Sequence, residues 1–406
     1  MAQPTQSTTA PAAVWGLFLP LALCIAATHG FGYFLFPALL PTMRVEHGLS
    51  YATTANITSG AQIAYMVGSL FAGVIGPKLG AGRLTLASVI LAALCLLGTA
   101  IADSAWAIGC LVAAMSASAA VNWASISALA GVYVPARRRG QALTVAATGS
   151  AWGVCANGVI VARALPDLGT SGAWILTGLT TLIIAGITGV ALFRRGALAN
   201  SARSMAAAEP EHENEHTRIG LRHPAMLYAC LFSILAGFAA VPFLTYLGAY
   251  LDTEVGHPAT LVGSVWAVLG ITGAATGFVV GGIADRYGLP LALRGLFAVF
   301  VVSALIMVFL PTPPIVYGAG IGFGLMYFTL WGLISTYVNQ FLAPGPAMRV
   351  IGITLVCVGI AAALGNWAAG QWASLGHSFA DVYLIIGAIG CVMIVLTTTM
   401  PIKKNC

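Results

Sequence analysis

Charge is the scarcest property of this chain: Asp, Glu, Lys and Arg make up 7% of its 406 residues, while 59% are hydrophobic. An average soluble domain carries roughly 25% charged residues, and a soluble fold of this length could not cover its surface with so few. Lipid is therefore the expected solvent for most of the surface. Glycine, at 48 residues, fits that expectation, because small residues let helices approach closely where no water-driven force presses them together.

A helix crossing the hydrocarbon core needs about 20 mostly apolar residues. The sequence predicts twelve such segments, roughly 14–40, 51–76, 83–101, 105–133, 140–162, 172–193, 224–251, 260–284, 290–311, 313–341, 349–372 and 380–401. Each is apolar nearly all round, as bilayer helices are. Lys and Arg collect on the cytoplasmic side of membrane proteins. With both termini cytoplasmic, every one of the 17 basic residues except Arg44 and Arg163 falls on that side. The outer connections instead carry Glu46, Asp103, Asp167, Asp252, Glu254 and Asp381. A miscounted span would invert the bias downstream, so its persistence supports the number twelve. The formal charge of +6 then reports topology and calls for no nucleic-acid partner.

The expected organisation is an N-terminal six-helix half (1–195), a polar cytoplasmic linker (196–223) and a C-terminal six-helix half (224–406). In the linker, His212 and His216 stand four apart among Glu211, Glu213 and Glu215. A solvated segment without ordered structure accounts for them better than a metal site. Eight cysteines contain no C-x-x-C pair, which argues against a zinc site or a disulfide framework. Seven of them, all but Cys406, lie in apolar runs and read as small packing residues. No cofactor or metal is expected. No Lys or Arg precedes Ala13, so the positive region of a signal peptide is missing, and the first apolar stretch reads as a spanning helix.

The two halves repeat weakly, as transporter folds often do. Gly73–Gly80 reads GVIGPKLG and Gly281–Gly288 reads GGIADRYG, so that Gly73, Lys78 and Gly80 match Gly281, Arg286 and Gly288. Gly153 and Gly158 match Gly365 and Gly370, and Arg137 matches Arg349. GGIADRYG resembles the G-x-x-x-D-R-x-G loop of the major facilitator superfamily. The resemblance, with the repeat and the central linker, covers the whole chain. It implies an all-α membrane fold of two pseudo-symmetric halves and a gating role for Asp285 and Arg286. The first copy departs from the pattern, with Pro77 where the acid is expected. The stretches GFGYFLFPALLPTM (Gly30–Met43) and GLSYA (Gly48–Ala52) resemble the bacterial YbfB-like facilitators, although Tyr33 stands where that subgroup tends to have Arg. Gly149, Gly153 and Gly158 resemble the family's antiporter signature, which this chain breaks at Val154 and Asn157.

Polar side chains inside a bilayer are costly and usually face protein or a wet cavity. The spans carry Asn56, Gln62, Asn122, Asn157, Asn339, Gln340, Asn366 and Gln371, while spans three, six, nine and twelve, which face lipid in the resembling family, have no Asn or Gln. His29 and Tyr33, four apart, share one face of the first helix. Tyr327, Trp331 and Ser335 form a stripe on the tenth span. With Gln62, Tyr65, Asn122 and Asn366 these residues are the expected solute site, aromatic and amide-lined as pockets for small organic molecules are. Gly73, Lys78, Gly80, Gly281, Asp285, Arg286 and Gly288 are the expected gating residues. No buried carboxylate awaits a metal cation and no buried arginine awaits a multiply charged anion. The expected function is secondary transport of a small organic solute by alternating access, with protons coupled through His29, by a functional monomer in a bacterial inner membrane. A sensor or assembly protein that kept the fold without transport is the alternative. An intramembrane enzyme is not expected: neither G-x-S-x-G nor H-E-x-x-H occurs.

Overall fold

The computed structural model describes residues 11–135, 138–198, 223–342 and 344–402, and these residues contain no strand. In chain order the helices are α1 (Pro11–Ile25), α2 (Gly32–Glu46), α3 (Tyr51–Leu79), α4 (Ala81–Thr99), α5 (Ala105–Tyr133), α6 (Arg139–Val159) and α7 (Leu165–Arg194). There follow α8 (Pro224–Thr245), α9 (Ala259–Tyr287), α10 (Leu289–Phe309), α11 (Pro313–Phe341), α12 (Pro344–Ser374) and α13 (Phe379–Thr399). Short π segments join α1 to α2 (Ala26–Phe31) and α6 to α7 (Ile160–Ala164) and extend α8 through Tyr250–Glu254. Eleven helical runs among the described residues are long and apolar enough to cross a membrane, so the protein is a multi-pass membrane protein. Most expected boundaries fall within a few residues of the helix ends. The segment 313–341 coincides with α11, whereas α12 begins five residues before the expected 349. The linker histidines His212 and His216 lie outside the described residues.

The main difference is at 141–194, where one run of 54 residues replaces two expected spans and a loop. Helix continues through the π segment into α7, and the break is one residue, Gly169, at φ 64° and ψ −176°. A glycine takes that backbone without a Cβ clash, so the chain turns with no polar loop for a sequence scan to find.

Local chemistry sets the other helix ends. The hydroxyls of Ser50, Ser104 and Ser378 accept from the backbone N–H of Thr53 (3.0 Å), Ala107 (3.2 Å) and Ala380 (2.9 Å), capping α3, α5 and α13. Proline occupies the first turn of α7, α8, α10 and α11, where a missing N–H costs nothing. Gly80 ends α3 at φ 86°, ψ 143°, and Gly288 ends α9 at φ 88°, ψ 151°. The two loops that match in sequence thus turn with the same backbone. Hydroxyls within the spans donate to carbonyls one turn back, as Thr85 does to Ala81 and Ser233 to Ala229, which satisfies them without water.

Helices α3, α4, α5 and α7 pack on one another, and α8, α10, α12 and α13 form a second group. Two seams join helices from before and after residue 223: α3 against α12 and α6 against α9. Along the α6–α9 seam the backbones nearly touch. A Cβ on Gly158 would overlap Ala267, one on Gly263 would overlap Gly158 and Ala162, and one on Gly270 would overlap Cys155. Along α3–α12, Gly370 abuts Ala55 and the Tyr51 carbonyl, Ser59 donates to the Ala363 carbonyl at 2.8 Å, and Gly359 faces Met66. These approaches run from mid-span, at Gly359 and Gly270, to the end that bears Glu46 and Glu254. Among the described glycines toward the basic end, Gly73, Gly282 and Gly352 are exposed, and a Cβ on any of them would meet nothing within 4 Å.

Candidate functional site

The site begins with a defect in the first span. From Ala26 to Phe31 the backbone widens into a π segment, a rare form frequent at functional sites. It contains His29 and Gly30. Gly30 lies against Gly153 of α6 so closely that a Cβ on either would overlap the other's backbone. The Gly30 carbonyl accepts from Asn157 Nδ2 at 2.6 Å. Asn157, fully buried on α6, therefore holds a backbone group at the point where the helical pattern is disturbed.

The widened turn aims His29 at α3. Its Nε2 lies 3.2 Å from the Tyr65 hydroxyl and its Nδ1 lies 3.4 Å from the Thr28 hydroxyl. Thr28 donates onward to Asn122 Oδ1 at 3.4 Å, and Asn122 Nδ2 donates to Ser88 Oγ at 3.1 Å. One helical turn after His29, the Tyr33 hydroxyl donates to Gln62 Oε1 at 2.7 Å, and the Tyr33 ring meets the Tyr65 ring edge-on at 5.5 Å. His29, Tyr33 and Tyr65 are half-buried. Hydroxyls can both donate and accept, so either protonation state of His29 keeps its partners.

Beside this network lies a cavity among α2, α3, α5, α8, α11 and α12. Tyr33, Phe34, Thr58, Gln62, Thr245, Tyr327 and Asn366 border it, and among the described residues no charged one does. Phe34 meets Tyr327 edge-on at 6.2 Å, and behind Tyr327 the rings of Phe323 and Phe243 stack at 5.4 Å and 4.2 Å. Asn366 is 0% exposed; its carbonyl accepts from the Tyr246 hydroxyl at 2.9 Å, but both atoms of its side-chain amide lack a partner. An unsatisfied buried polar group costs about 1–3 kcal/mol, so such an amide is unusual unless something else meets it.

The structure thus gathers Tyr33, Gln62, Tyr327 and Asn366 around one cavity, with His29 and Tyr65 adjoining and Trp331 packed 6.1 Å from Tyr327. It does not bring Asn122 and Ser335 to the wall. Asn122 is fully buried and bonded within the His29 network, and the Ser335 hydroxyl donates to the Trp331 carbonyl of its own helix. Of the expected gating residues, Gly80 and Gly288 turn the two loops, Lys78 and Arg286 are exposed, and Arg286 lies 5.4 Å from the Tyr287 ring. Gly73 is exposed in α3. The side chain of Asp285 and the surroundings of Gly281 lie outside the described residues.

Sequence reasoning missed an aromatic cluster at the opposite end. Arg44 stacks over the Tyr51 ring at 3.3 Å, Tyr51 meets Phe379 edge-on at 5.0 Å, and Phe379 stacks on Tyr246 at 4.7 Å. Tyr51 also donates to Thr253 at 3.5 Å, and Glu254 accepts from the Phe379 N–H at 2.9 Å. This cluster joins the start of α3 to the end of the Tyr250–Glu254 segment and the start of α13. The only advance signal was an Arg and a Tyr near a span end, which reads equally well as interfacial anchoring.

Comparison with known proteins agrees with this architecture. Residues 21–366 match the sequence model of the Major Facilitator Superfamily. Two crystal structures of the nucleoside transporter NupG, one of them a point mutant, superpose on the chain. The mutant gives a TM-score of 0.72 at 15% identity, covering 95% of this chain and 99% of its own. The other gives 0.67 at 14% identity, covering 95% and 98%. At that identity the likeness is one of fold. No curated protein sequence matches the chain.

Proposed function

We propose that this chain, which belongs to the major facilitator superfamily, moves a small uncharged organic solute by alternating access, with protons coupled through His29. Membership makes it a secondary transporter and not an enzyme. The solute, the coupling and the mode of access are our reading of the site.

One observation carries that reading: a cavity with no charged residue among its described lining lies beside the α3–α12 seam, and the close glycine contacts described along both seams lie from mid-span to the Glu254 end, whereas Gly73, Gly282 and Gly352 toward the basic end meet nothing within 4 Å. A bundle closed at one end and parted at the other is half of an alternating cycle. Aromatic rings and amides around the cavity suit an uncharged solute, because a charged one would enter without a counter-charge to offset its desolvation. His29 suits a proton carrier because its ordinary pKa lies near physiological pH and its hydroxyl partners accommodate both states.

On this reading the 54-residue run counts as two crossings. At about 1.5 Å per residue it far exceeds a hydrocarbon core of about 30 Å, and Gly169 divides it. Twelve spans then fall six before the linker and six after, with the basic ends in the cytoplasm of a bacterium and the Arg44–Tyr51–Phe379 cluster closing the outer side. The motif of the first helix keeps its resemblance to the YbfB-like facilitators.

The test is a thermal-shift screen of the purified protein against metabolites, since a ligand that binds the folded state raises its melting point. Counterflow of each hit in proteoliposomes follows. Solute-dependent counterflow is the expected result. A ligand that binds without counterflow would favour a sensor.

A further inference from the structure

We infer that a groove between α4 and α7 binds one anionic phospholipid, with an acyl chain along its length and the phosphate at Arg83 and Arg194. The inference holds whatever the solute and its coupling.

The two helices run antiparallel and touch at both ends of their contact. Toward the Glu46 end a Cβ on Gly178 would overlap Leu97, and at the basic end one on Gly82 would overlap the Ala197 carbonyl. Between these points the helices part. A Cβ on Gly186 would meet nothing within 4 Å, and one on Gly189 would touch only the Leu86 side chain. The gap is a space of about 680 Å³ bordered by Leu86, Ile90, Ala185, Gly186, Gly189 and Arg194. Ile90 and Gly186 are exposed, so it opens on the outer surface of the bundle. From Leu182 to Arg194 it follows α7 for about 18 Å at about 1.5 Å per residue. That is close to one leaflet of a hydrocarbon core about 30 Å thick.

Charge marks one end of this space. Arg194 is the one charged residue in its described lining. Arg83 stands one helical turn before Leu86 on the same face of α4. It is exposed, and its Nε donates to the Leu198 carbonyl at 2.7 Å. That bond ties it to the turn after α7, at the end of the groove where Arg194 lies. Among the described residues no carboxylate pairs with either arginine.

A long apolar space with cations at one mouth matches an amphiphile with an anionic head. An acyl chain supplies the dispersion contacts that an unfilled gap forfeits. Guanidinium groups bind phosphate through paired N–H donors, and basic pockets between spans hold anionic headgroups. The sequence from 199 to 222 has no run of large apolar side chains to lie in the groove. A second copy docked here about a two-fold axis along the membrane normal would bring its own arginines to the same depth, like charge against like.

The experiment is native mass spectrometry of the purified full-length protein in detergent, with equal amounts of dioleoylphosphatidylglycerol and dioleoylphosphatidylcholine, which share their chains and differ in head charge. The wild type should retain phosphatidylglycerol at least about tenfold better. In the double variant Arg83→Gln, Arg194→Gln the two lipids should be retained within about twofold of each other. Gly186→Phe places a ring in the open space without moving the backbone and should remove most of the retained lipid. All three substitutions are at exposed positions, and melting temperatures in lipid-free detergent verify that the variants fold. Equal retention of both lipids by the wild type, an undiminished preference in the arginine variant, or undiminished retention in Gly186→Phe would overturn the assignment. So would displacement by glycerol 3-phosphate as effective as by phosphatidylglycerol, which would leave a phosphate site without a chain. A dimer that retains neither lipid would give the face to a second copy and overturn it too.

Discussion

His29 is the residue on which the proposed coupling turns. Its two ring nitrogens face hydroxyls, those of Tyr65 and Thr28, so taking up a proton changes the direction of hydrogen bonds without orphaning one. Replacing His29 by Gln keeps polarity but removes the titration. Uptake driven by a pH gradient should fall to the rate seen without one, while solute counterflow at equal pH on both sides persists. An undiminished gradient effect would take His29 out of the mechanism. The pairing of His29 with Tyr33, and the stripe from Tyr327 to Trp331, were legible because residues four apart on a helix share a face. What could not be read was how each polar group is satisfied. Asn122 and Asn366 look alike in the sequence, yet Asn122 finds Ser88 and Thr28 while the amide of Asn366 finds no protein group. That distinction depends on neighbours tens to hundreds of residues away.

At the scale of elements, the first span and α6 form one unit. The π segment at Ala26–Phe31 brings Gly30 against Gly153, and Asn157 holds the Gly30 carbonyl. Asn157→Leu leaves that carbonyl without its amide donor and should lower stability by about 1–3 kcal/mol, read as a lower melting temperature in detergent. Gly153→Leu forces the helices apart, and overpacking of this kind costs about 1–3 kcal/mol or more. It should also misplace His29, so that activity is lost even in protein that still folds. Gly153 and Gly158 stood out in the sequence through their match to Gly365 and Gly370. The π segment did not, because π turns follow from packing and have no composition of their own. The helix ends marked by Ser50, Ser104, Gly80 and Gly288 were within reach for the opposite reason: capping and left-handed turns depend on the residue itself. Gly169 shows the limit of that rule, since a single glycine among 48 turns the chain without the polar residues that announce a loop.

For the whole molecule, the scarcity of charge and the placement of Lys and Arg were enough to indicate a membrane bundle, because bilayer energetics act on every residue alike. Which end is closed was not accessible, since it depends on small close approaches such as Gly158 with Gly263 and on the stack of Arg44, Tyr51, Phe379 and Tyr246. That stack bridges the two groups of helices at the end that bears Glu254. A cation–π contact contributes about 0.5–2 kcal/mol, so Tyr51→Ala should shift the balance between closed and open outer ends by about 2- to 30-fold. Pulsed spin-label distance measurements in liposomes test the rocking motion most directly, in a cysteine-free background with two exposed pairs. Val45 with Leu375 reports on the outer end, and Val74 with Ile353 on the basic end. On introducing Tyr51→Ala, the outer distances should lengthen while the basic-end distances shorten in the same proportion of molecules. Outer distances that lengthen while the basic end stays unchanged would mean local fraying, and would contradict two rigid groups turning about a central cavity.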